Sequence, residues 1–321
     1  MQGSSAGRAS PGKRVAVVTP EETVGVEVPA SCANLGSGFD SLAVAVGRSL
    51  VAVTADREAR RVIITGEGAD ELPSDERNRV WQAFVAYCER SGEPVPDVSL
   101  RVRSTIPLER GLGSSAAAAV AGVTLARAAT GGGGSDRDLV DLAAAFDGHA
   151  DNVAAALLGG LVVVVDGQPR RLEPTDAWMP VLCVPQARQS TNAARELLPE
   201  QVSLADAAAT AGRAALLVAG LTGATALDVA ACTDVLHEPP RLAAMPESGR
   251  LVAALRDSGR PACLSGAGPT VLALVPGGDQ EAVQAVRALA GQGWEVDASR
   301  WNRGGAEACP PTAALGQAWQ P

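Results

Sequence analysis

The sequence predicts an α+β protein of two domains, and three observations support this prediction. The chain has 321 residues, which is enough for one large domain or two of ordinary size. Strand-like and helix-like segments alternate unevenly and include hairpin-like pairs, which favours α+β over a doubly wound parallel sheet. A shift toward proline and polar residues at 166–174 indicates the boundary between the two domains.

The first half contains four predicted strands before its main helices. Alternating apolar residues predict these strands at 24–28, 50–54, 61–65 and 98–104. Apolar residues at helical spacing predict a helix over 78–90. An alanine-rich run to about residue 129, ended by glycines, predicts a second helix, and 136–146 a third. Residues 161–165 then predict a buried strand.

The second half shows helices around 203–221 and 250–257, followed by a strand–turn–strand unit at 263–275. A helix over 279–291 and a last strand near 294–298 complete the predicted elements. The predicted division is a flexible extension at 1–20, a first domain at 21–169, a second at 170–303 and a loose tail at 304–321.

The scarcity of lysine excludes several mechanisms of phosphate binding and covalent catalysis. Lys13 is the only lysine, so no phosphate-binding or Schiff-base lysine exists in the folded body. Phosphate chemistry would have to rely on backbone amides, hydroxyls, a metal ion and arginine. The net charge of −9 argues against a nucleic-acid or anionic-membrane partner.

Cysteine and histidine usage indicates a reducing compartment. The six cysteines form no CxxC pair, and two histidines are too few for a His-rich metal site. The N-terminus lacks the apolar region of a signal peptide, and the apolar stretch 157–165 is too short to span a bilayer. A soluble, cytoplasmic protein is expected.

The segment PLERGLGSSAA, at 107–117, precedes the alanine-rich helix. Glycines let a backbone approach an anion closely, and a helix start directs free N–H groups and its positive dipole end toward it. Serines at this point can bond phosphate oxygens or ligate Mg²⁺. Taken alone, an ordinary turn and helix cap explains the segment equally well.

The segment DGHADN, at 147–152, places two carboxylates, an imidazole and an amide at the end of a predicted helix. A carboxylate there can hold Mg²⁺, while histidine and asparagine can orient a polar substrate. A polar loop with a satisfied histidine is an equal alternative. His237, beside Glu238 and two prolines, is interpreted as structural.

Two further segments are candidate loops. PASCANLGSGFD, at 29–40, follows a strand directly, as binding loops often do. LSGAGPT, at 264–270, is a turn of small residues that lets another loop or a ligand approach. An ordinary loop and a tight hairpin are the alternatives.

In combination, these segments resemble the GHMP small-molecule kinases. PLERGLGSSAA followed much later by LSGAGPT carries that resemblance. PASCANLGSGFD and GHADN are similar to the homoserine kinase family within it, as are STNAAR at 190–195 and HEPPR at 237–241. The PGK- and GRxN-type openings of mevalonate kinase and galactokinase relatives are missing. The resemblance covers residues 24–275 in the right order.

The resemblance implies transfer of the ATP γ-phosphoryl group to the side-chain hydroxyl of L-homoserine, which gives O-phospho-L-homoserine in threonine biosynthesis. It implies Mg²⁺ as a cofactor, and ATP and homoserine as the small-molecule partners. It also implies an N-terminal α+β ATP-binding domain, a ferredoxin-like C-terminal domain, an active site in the cleft between them, and a homodimer.

Site residues are carried over from the same resemblance. The ATP-binding positions are Asn78, Pro107, Arg110, Gly111, Leu112, Gly113, Ser114 and Ser115. Ser115 and Asp147 match the positions for Mg²⁺. The homoserine-facing positions are Asn34, Asp40, His149, Asn152, Arg195 and Arg241, with the two arginines as a carboxylate clamp and Asp40 for the ammonium group. Asp40, Asn152 and Thr191 are the catalytic candidates, and no general base is assigned.

One motif departs from the family pattern. The family loop usually reads EGHPDN, whereas this chain has Asp147 and Ala150 in place of the glutamate and the proline. The shorter carboxylate allows water-mediated contact with Mg²⁺, and loss of the proline leaves the loop less rigid.

Two other functions compete with this interpretation. One is a GHMP kinase that acts on a different small alcohol, for which the arginine clamp would matter little. The other is a non-catalytic sensor of nucleotide or amino acid, against which the glycine-rich turn, Asp147 and Asn152 weigh.

Overall fold

The computed structural model describes residues 23–59 and 61–309. Two β-sheets with associated helices confirm the predicted α+β class. The predicted flexible extension, including Lys13, lies outside the described residues.

The first sheet has seven strands within the described residues. Their order is β11-β1-β2-β4-β3, and β5 pairs with β2 and with β6. β3 and β4 are parallel and the other pairs are antiparallel. The strands are β1 (Gly25–Ala33), β2 (Leu42–Ala55), β3 (Val62–Gly66), β4 (Ser99–Ser104), β5 (Leu161–Val165), β6 (Gln168–Leu172) and β11 (Glu307–Cys309).

Four helices accompany this sheet: α1 (Arg79–Ser91), α2 (Ser114–Thr130), α3 (Asp136–Asp147) and α4 (Ala150–Leu158). α2 contacts both the sheet and the other helices, and most of its buried residues are alanines and valines. A Cβ atom on Gly122 would lie 2.3 Å from the Val80 carbonyl oxygen, so α1 and α2 cross at close range. Small side chains along α2 allow this close approach.

The second sheet is antiparallel, with the order β10-β7-β9-β8. Its strands are β7 (Trp178–Pro185), β8 (Ala262–Leu264), β9 (Val271–Pro276) and β10 (Trp294–Ala298), and the helices α9 (Pro246–Asp257) and α10 (Gln280–Ala290) pack against them. With α9 between β7 and β8, and α10 between β9 and β10, the unit has the β-α-β-β-α-β order of a ferredoxin-like fold.

Between β7 and α9 lie α5 (Thr191–Glu196), α6 (Leu204–Leu221), α7 (Val229–Cys232) and α8 (Glu238–Ala244). Of these, only α6 was predicted, and α4, β6, β7 and β11 were also missed. α5, α7 and α8 contain between four and seven residues, too few turns to show an apolar period.

The ends of the predicted domains differ from the observed strands. β6 lies across the predicted boundary at 169/170 and pairs with β5 in the first sheet. Residues 307–309 were predicted as part of a loose tail but form β11, which pairs with β1. The chain therefore returns to the first sheet after completing the second.

One described helix, α6, is long and apolar enough to cross a membrane by length and composition alone. A single helix of this kind is weak support for a membrane span, and 22% of α6 is buried in the protein.

Candidate active site

Two adjoining cavities lie on either side of the glycine-rich turn that precedes α2. The larger, of about 500 Å³, is lined mainly by the first sheet, the start of α1 and the start of α2. The smaller, of about 150 Å³, lies among polar and charged side chains from both halves of the chain. Glu109, Ser114 and Ser115 line both cavities, so one ligand can occupy the two in continuity.

Gly111 and Gly113 have the left-handed backbone that the glycine-rich turn needs. Their φ angles are +73° and +67°. A Cβ on Gly113 would lie 2.1 Å from the Ser31 Oγ, and one on Gly111 would lie 2.2 Å from the Ser265 carbonyl oxygen. α2 starts after Gly113, and no side chain caps its first N–H groups. These groups are therefore available to an anion in the small cavity.

Neighbours of these glycines hold the turn in place. Leu112 is buried, and its carbonyl oxygen accepts a hydrogen bond from the Ser31 N–H at 3.2 Å. Arg110 donates to the carbonyl oxygens of Pro185 and Gln186 at 2.8 and 2.9 Å, which ties the turn to the end of β7. Pro107 also lines the small cavity.

Asn78 lies apart from the other predicted residues, at the large cavity. It caps α1, since its Oδ1 accepts from the Val80 N–H at 2.9 Å and its Nδ2 donates to the Pro73 carbonyl oxygen at 2.8 Å. Both polar atoms of its amide therefore stabilise the N-terminus of α1.

Asp147 is the last residue of α3, and its carboxylate is almost fully buried. Its carboxylate oxygens lie 3.9 Å from the Arg79 Nη1 and 3.7 Å from the His149 Nδ1. Hydrogen bonding to the Asp147 side chain raises the pKa of His149, and burial opposes this effect. Both residues line the small cavity.

The donor atoms near Asp147 fit a magnesium ion. Its carboxylate and the Ser115 hydroxyl line the same cavity and are hard oxygen ligands. The described residues contain no group of three or more His, Cys, Asp or Glu side chains that could hold a metal. Mg²⁺ does not require such a cage, because it commonly takes one or two protein oxygens together with substrate phosphates and water.

Asn152 lies in the first turn of α4, the helix missed by the sequence analysis. Its Oδ1 accepts a hydrogen bond of 2.8 Å from the Ser31 Oγ, directly beside Gly113. Neighbouring Asp151 is buried and lines the same cavity, and desolvation raises the pKa of its carboxyl to about 6. Asp151 was not predicted as a site residue, because burial is the only feature that separates it from an ordinary polar residue.

Asn34 and Asp40 shape the loop that follows β1. The Asn34 Nδ2 donates to the Gly266 carbonyl oxygen at 2.8 Å, and its Oδ1 accepts from the Asp40 N–H at 3.0 Å. The Asp40 carboxylate accepts two bonds from Arg195, at 2.9 and 2.7 Å. Both Asn34 and Asp40 have positive φ, which these residue types tolerate better than most.

Arg195 in α5 and Arg241 in α8 approach each other across the Phe39 ring. Their guanidinium carbons lie 5.4 and 5.5 Å from the ring centroid. Arg241 is buried, whereas Arg195 is about half exposed. Thr191, the first residue of α5, lines the small cavity with both arginines.

Every predicted site residue except Asn78 lines the small cavity. These residues come from the loop after β1, the start of α2, the α3–α4 junction, α5 and α8.

Comparisons with known proteins identify the family of the chain. The family description "GHMP kinases N terminal domain" matches residues 78–160, and "GHMP kinases C terminal" matches 225–292. Homoserine kinase from Streptomyces avermitilis is 44% identical over 299 residues, covering 90% of this chain and 97% of that protein. Homoserine kinase from Mycolicibacterium smegmatis is 44% identical over 265 residues, covering 77% and 83%.

The chain belongs to the homoserine kinase family of GHMP kinases. It is an ATP-dependent small-molecule kinase.

Solved structures show the same relationship. The crystal structure of homoserine kinase from Cytophaga hutchinsonii has a TM-score of 0.78 at 29% identity, covering 92% of this chain and 100% of that one. A crystal structure of mevalonate kinase has a TM-score of 0.64 at 11% identity, covering 87% and 99%, and supports the fold alone. Membership in the homoserine kinase family confirms the resemblance predicted from the sequence motifs.

Proposed function

We propose that this chain transfers the γ-phosphoryl group of ATP to the side-chain hydroxyl of L-homoserine, a step in threonine biosynthesis. A bond forms between the hydroxyl oxygen and the γ-phosphorus, and the bond from that phosphorus to the β,γ-bridging oxygen breaks. ADP, a proton and O-phospho-L-homoserine are the products. The observation that carries the proposal is a small cavity with an uncapped helix N-terminus on one side and an acidic–basic cluster on the other.

The nucleotide is assigned to the large cavity and the adjoining turn. A volume of about 500 Å³ is within the range of pockets for ligands of this size. The phosphates would lie against the N–H groups of 111–115, where the glycines permit close approach and the helix dipole favours negative charge. This arrangement needs no lysine, in agreement with the composition of the folded body.

A magnesium ion is assigned to Asp147 and Ser115, whose oxygens face the small cavity. When bound, it would offset negative charge on the transferred phosphoryl group. The Arg79 Nη1 and the His149 Nδ1 lie 3.9 and 3.7 Å from the Asp147 carboxylate oxygens, so neither is as close as a metal ligand would be.

Homoserine is assigned to the small cavity as a zwitterion. Arg195 and Arg241 supply guanidinium groups for the carboxylate, and Asp40 and Asp151 supply negative charge for the ammonium group. Asp40 and Arg195 pair with each other in the described structure. The amino acid would exchange that one pair for two, each between a protein group and the ligand.

Phosphoryl transfer has a loose transition state, so positioning and electrostatics can supply most of the catalysis. Asn152 lies next to the phosphate turn through its bond to Ser31, and it is assigned to the reacting hydroxyl together with Thr191 and Asp40. No general base is required, and Asp40 is the first carboxylate to test for that role.

The enzyme is proposed to be a soluble, cytoplasmic homodimer without nucleic-acid or membrane partners. An exposed stripe of Leu204, Ala208, Ala211 and Ala215 on α6 is the surface assigned to the second copy. Light scattering coupled to gel filtration is expected to give twice the chain mass, and Ala211→Glu is expected to give the monomer. A wild-type monomer would contradict this assignment.

A coupled assay of ADP release tests the function. Turnover is expected with ATP, Mg²⁺ and homoserine, and is expected to be much slower with threonine, mevalonate or galactose. ATP binding without turnover on any of these alcohols would overturn the enzyme assignment. Preferred turnover of mevalonate or galactose would overturn the substrate assignment only.

A further inference from the structure

We propose that His237 is a positioning residue for the acceptor: it orients the Arg241 guanidinium and holds the 34–40 loop against it. This inference rests on the proposed function, because Arg241 is assigned to the homoserine carboxylate. From its sequence context beside Glu238 and two prolines, His237 is interpreted as structural. In the structure, both of its ring nitrogens bond to parts of the acceptor cavity.

His237 is completely buried at the start of α8. Its Nδ1 lies 3.0 Å from the Arg241 Nη1, and its Nε2 lies 2.9 Å from the Gly36 carbonyl oxygen. Arg241 lines the small cavity, and Gly36 lies between Asn34 and Asp40, which also line it. One imidazole therefore connects two separate segments of the acceptor cavity.

The two hydrogen bonds determine which tautomer is present. A guanidinium can only donate, so Nδ1 must accept and cannot carry a proton. The backbone carbonyl can only accept, so Nε2 must carry the proton. Only the neutral, Nε2-protonated imidazole satisfies both partners. Burial also lowers the pKa of His237, opposed by the carboxylates of Asp234 and Glu238.

Further contacts fix the ring and the guanidinium. The His237 ring stacks on Phe39 with centroids 4.9 Å apart, and Phe39 also lies beneath Arg195 and Arg241. Arg241 Nε donates to the Ala194 carbonyl oxygen, and Nη1 donates to that of Gly266, each at 3.3 Å. Both distances exceed the 3.0 Å to the His237 Nδ1, so the bond to the imidazole is the shortest of these three hydrogen bonds.

The 34–40 loop depends on the same region. A Cβ on Gly36 would lie 2.0 Å from the Cys232 carbonyl oxygen, and the Ser37 Oγ donates to the Ala231 carbonyl oxygen at 2.7 Å. The loop therefore rests on α7, and His237 adds a bond from the start of α8. Loss of that bond would release the loop only in part, because these other contacts remain.

Two substitutions separate the two bonds. In His237→Gln, the side-chain amide can reach the Nε2 position and donate to Gly36, but the acceptor for Arg241 is lost. In His237→Asn, the amide oxygen can take the Nδ1 position and accept from Arg241, but the bond to Gly36 is lost. Thr124→Val, which removes a buried hydroxyl bond inside α2, is the matched control.

The readout is the KM for homoserine set against kcat and the KM for ATP. We expect His237→Gln to raise the KM for homoserine at least about tenfold and His237→Asn to raise it about threefold. The effect of Gln is larger because it loses a hydrogen bond to a charged group, the Arg241 guanidinium. The KM for ATP should stay within about twofold in both variants and in the control. Equal effects of Gln and Asn, or equal rises in both KM values, would overturn the proposal.

A double substitution tests whether His237 acts through Arg241. In an Arg241→Gln background, His237→Gln is expected to change the KM for homoserine less than about twofold, since its partner is already missing. A full tenfold effect in that background would show that His237 acts by another route and would overturn the proposal.

Nuclear magnetic resonance of the wild-type protein keeps the proposal testable even where a variant does not fold. The chain has two histidines, so ¹⁵N labelling of imidazoles gives two easily assigned spin systems. We expect His237 to be the neutral Nε2-protonated tautomer and to remain neutral at pH values below the ordinary histidine pKa. An Nδ1-protonated or doubly protonated His237 at neutral pH would overturn the proposal. Wild-type turnover of homoserine, measured first, separates failure of this inference from failure of the proposed function.

Discussion

The two adjoining cavities are built by different means. Around the phosphate turn, the structure provides backbone N–H groups, two glycines with positive φ and a helix start, all within a few residues of each other. Around the small cavity, it provides side chains that are far apart in sequence: Asp40 bonds to Arg195 across 155 positions, and Asn34 bonds to Gly266 across 232.

This difference indicates how each cavity can fail. The phosphate turn depends on local backbone conformation, so a single methyl group in the wrong position would disrupt it. The acceptor side depends on the two halves of the chain being in place together, as the pair between Asp40 and Arg195 illustrates. Substitutions on the two sides should therefore affect different kinetic constants.

The largest effect is expected from Gly113→Ala. The added Cβ would meet the Ser31 Oγ at 2.1 Å and would force an alanine to φ +67°. We expect kcat/KM to fall by a factor on the order of 10³, because strain and displacement both move the phosphate-binding N–H groups. Steady-state kinetics of the coupled assay measures this loss.

Gly133→Ala is the matched control, since a Cβ there meets no atom within 4 Å. Its kinetics should equal those of the wild type. A fully active Gly113→Ala enzyme would show that the turn is not the phosphate site. The contrast between a phosphate site built from backbone and an acceptor site built from side chains would then no longer hold.

Arg195→Gln should affect the acceptor side alone. We expect the KM for homoserine to rise about a hundredfold and the KM for ATP to change little, because one charged partner of the substrate carboxylate is lost. The exposed Arg250→Gln serves as the control. A comparable rise in the KM for ATP would mean that the two cavities are not separate in function.

A pH effect should follow from Asp151. Its raised pKa of about 6 means that the carboxyl is neutral below that pH and negative above it. If the charged form binds the ammonium group, the KM for homoserine should fall roughly tenfold as pH rises from 5 to 7. Asp151→Asn should have a higher KM that is nearly flat over this range.

The same shift affects stability in the opposite sense. The folded state retains a proton on Asp151 between the ordinary pKa of 3.8 and about 6, so this residue's stabilising contribution is lost as pH rises through that window. Chemical unfolding of the wild type and Asp151→Asn at several pH values measures the difference.

For the kinetic prediction, an Asp151→Asn enzyme whose KM for homoserine has the same pH profile as the wild type would exclude Asp151 as the group that titrates.

The smallest effect is expected at the mouth of the large cavity. Arg188 and Glu71 form two bonds of 2.7 Å between the β7–α5 connection and the loop before α1, and both are partly exposed. Glu71→Gln should raise the KM for ATP no more than about threefold, because exposed ion pairs contribute little. Glu76→Gln is the control, and a change in the KM for homoserine instead would contradict this placement.

The same difference between the two sides sets the limits of sequence analysis. The glycine-rich turn could be predicted because its requirements are local, and so could α1, α2, α3, α6, α9, α10 and most strands of the first sheet. Arg195 and Arg241 were identified only through the family resemblance, since α5 and α8 are too short to show a period. Asp151 was missed as a site residue and His237 was interpreted as structural, because burial and tertiary contacts distinguish them and neither is visible in a single sequence.

The ion pair between Asp40 and Arg195 also has a consequence for the response to salt. The pair contains one charge of each sign, and so does an amino-acid zwitterion. Binding splits this pair and re-pairs both side chains with the ligand, which adds no net charge to the cavity, so few counterions need to be released or taken up. The affinity for the acceptor should then be nearly independent of ionic strength, whereas the affinity for the highly anionic nucleotide should weaken as dissolved salt screens the cleft.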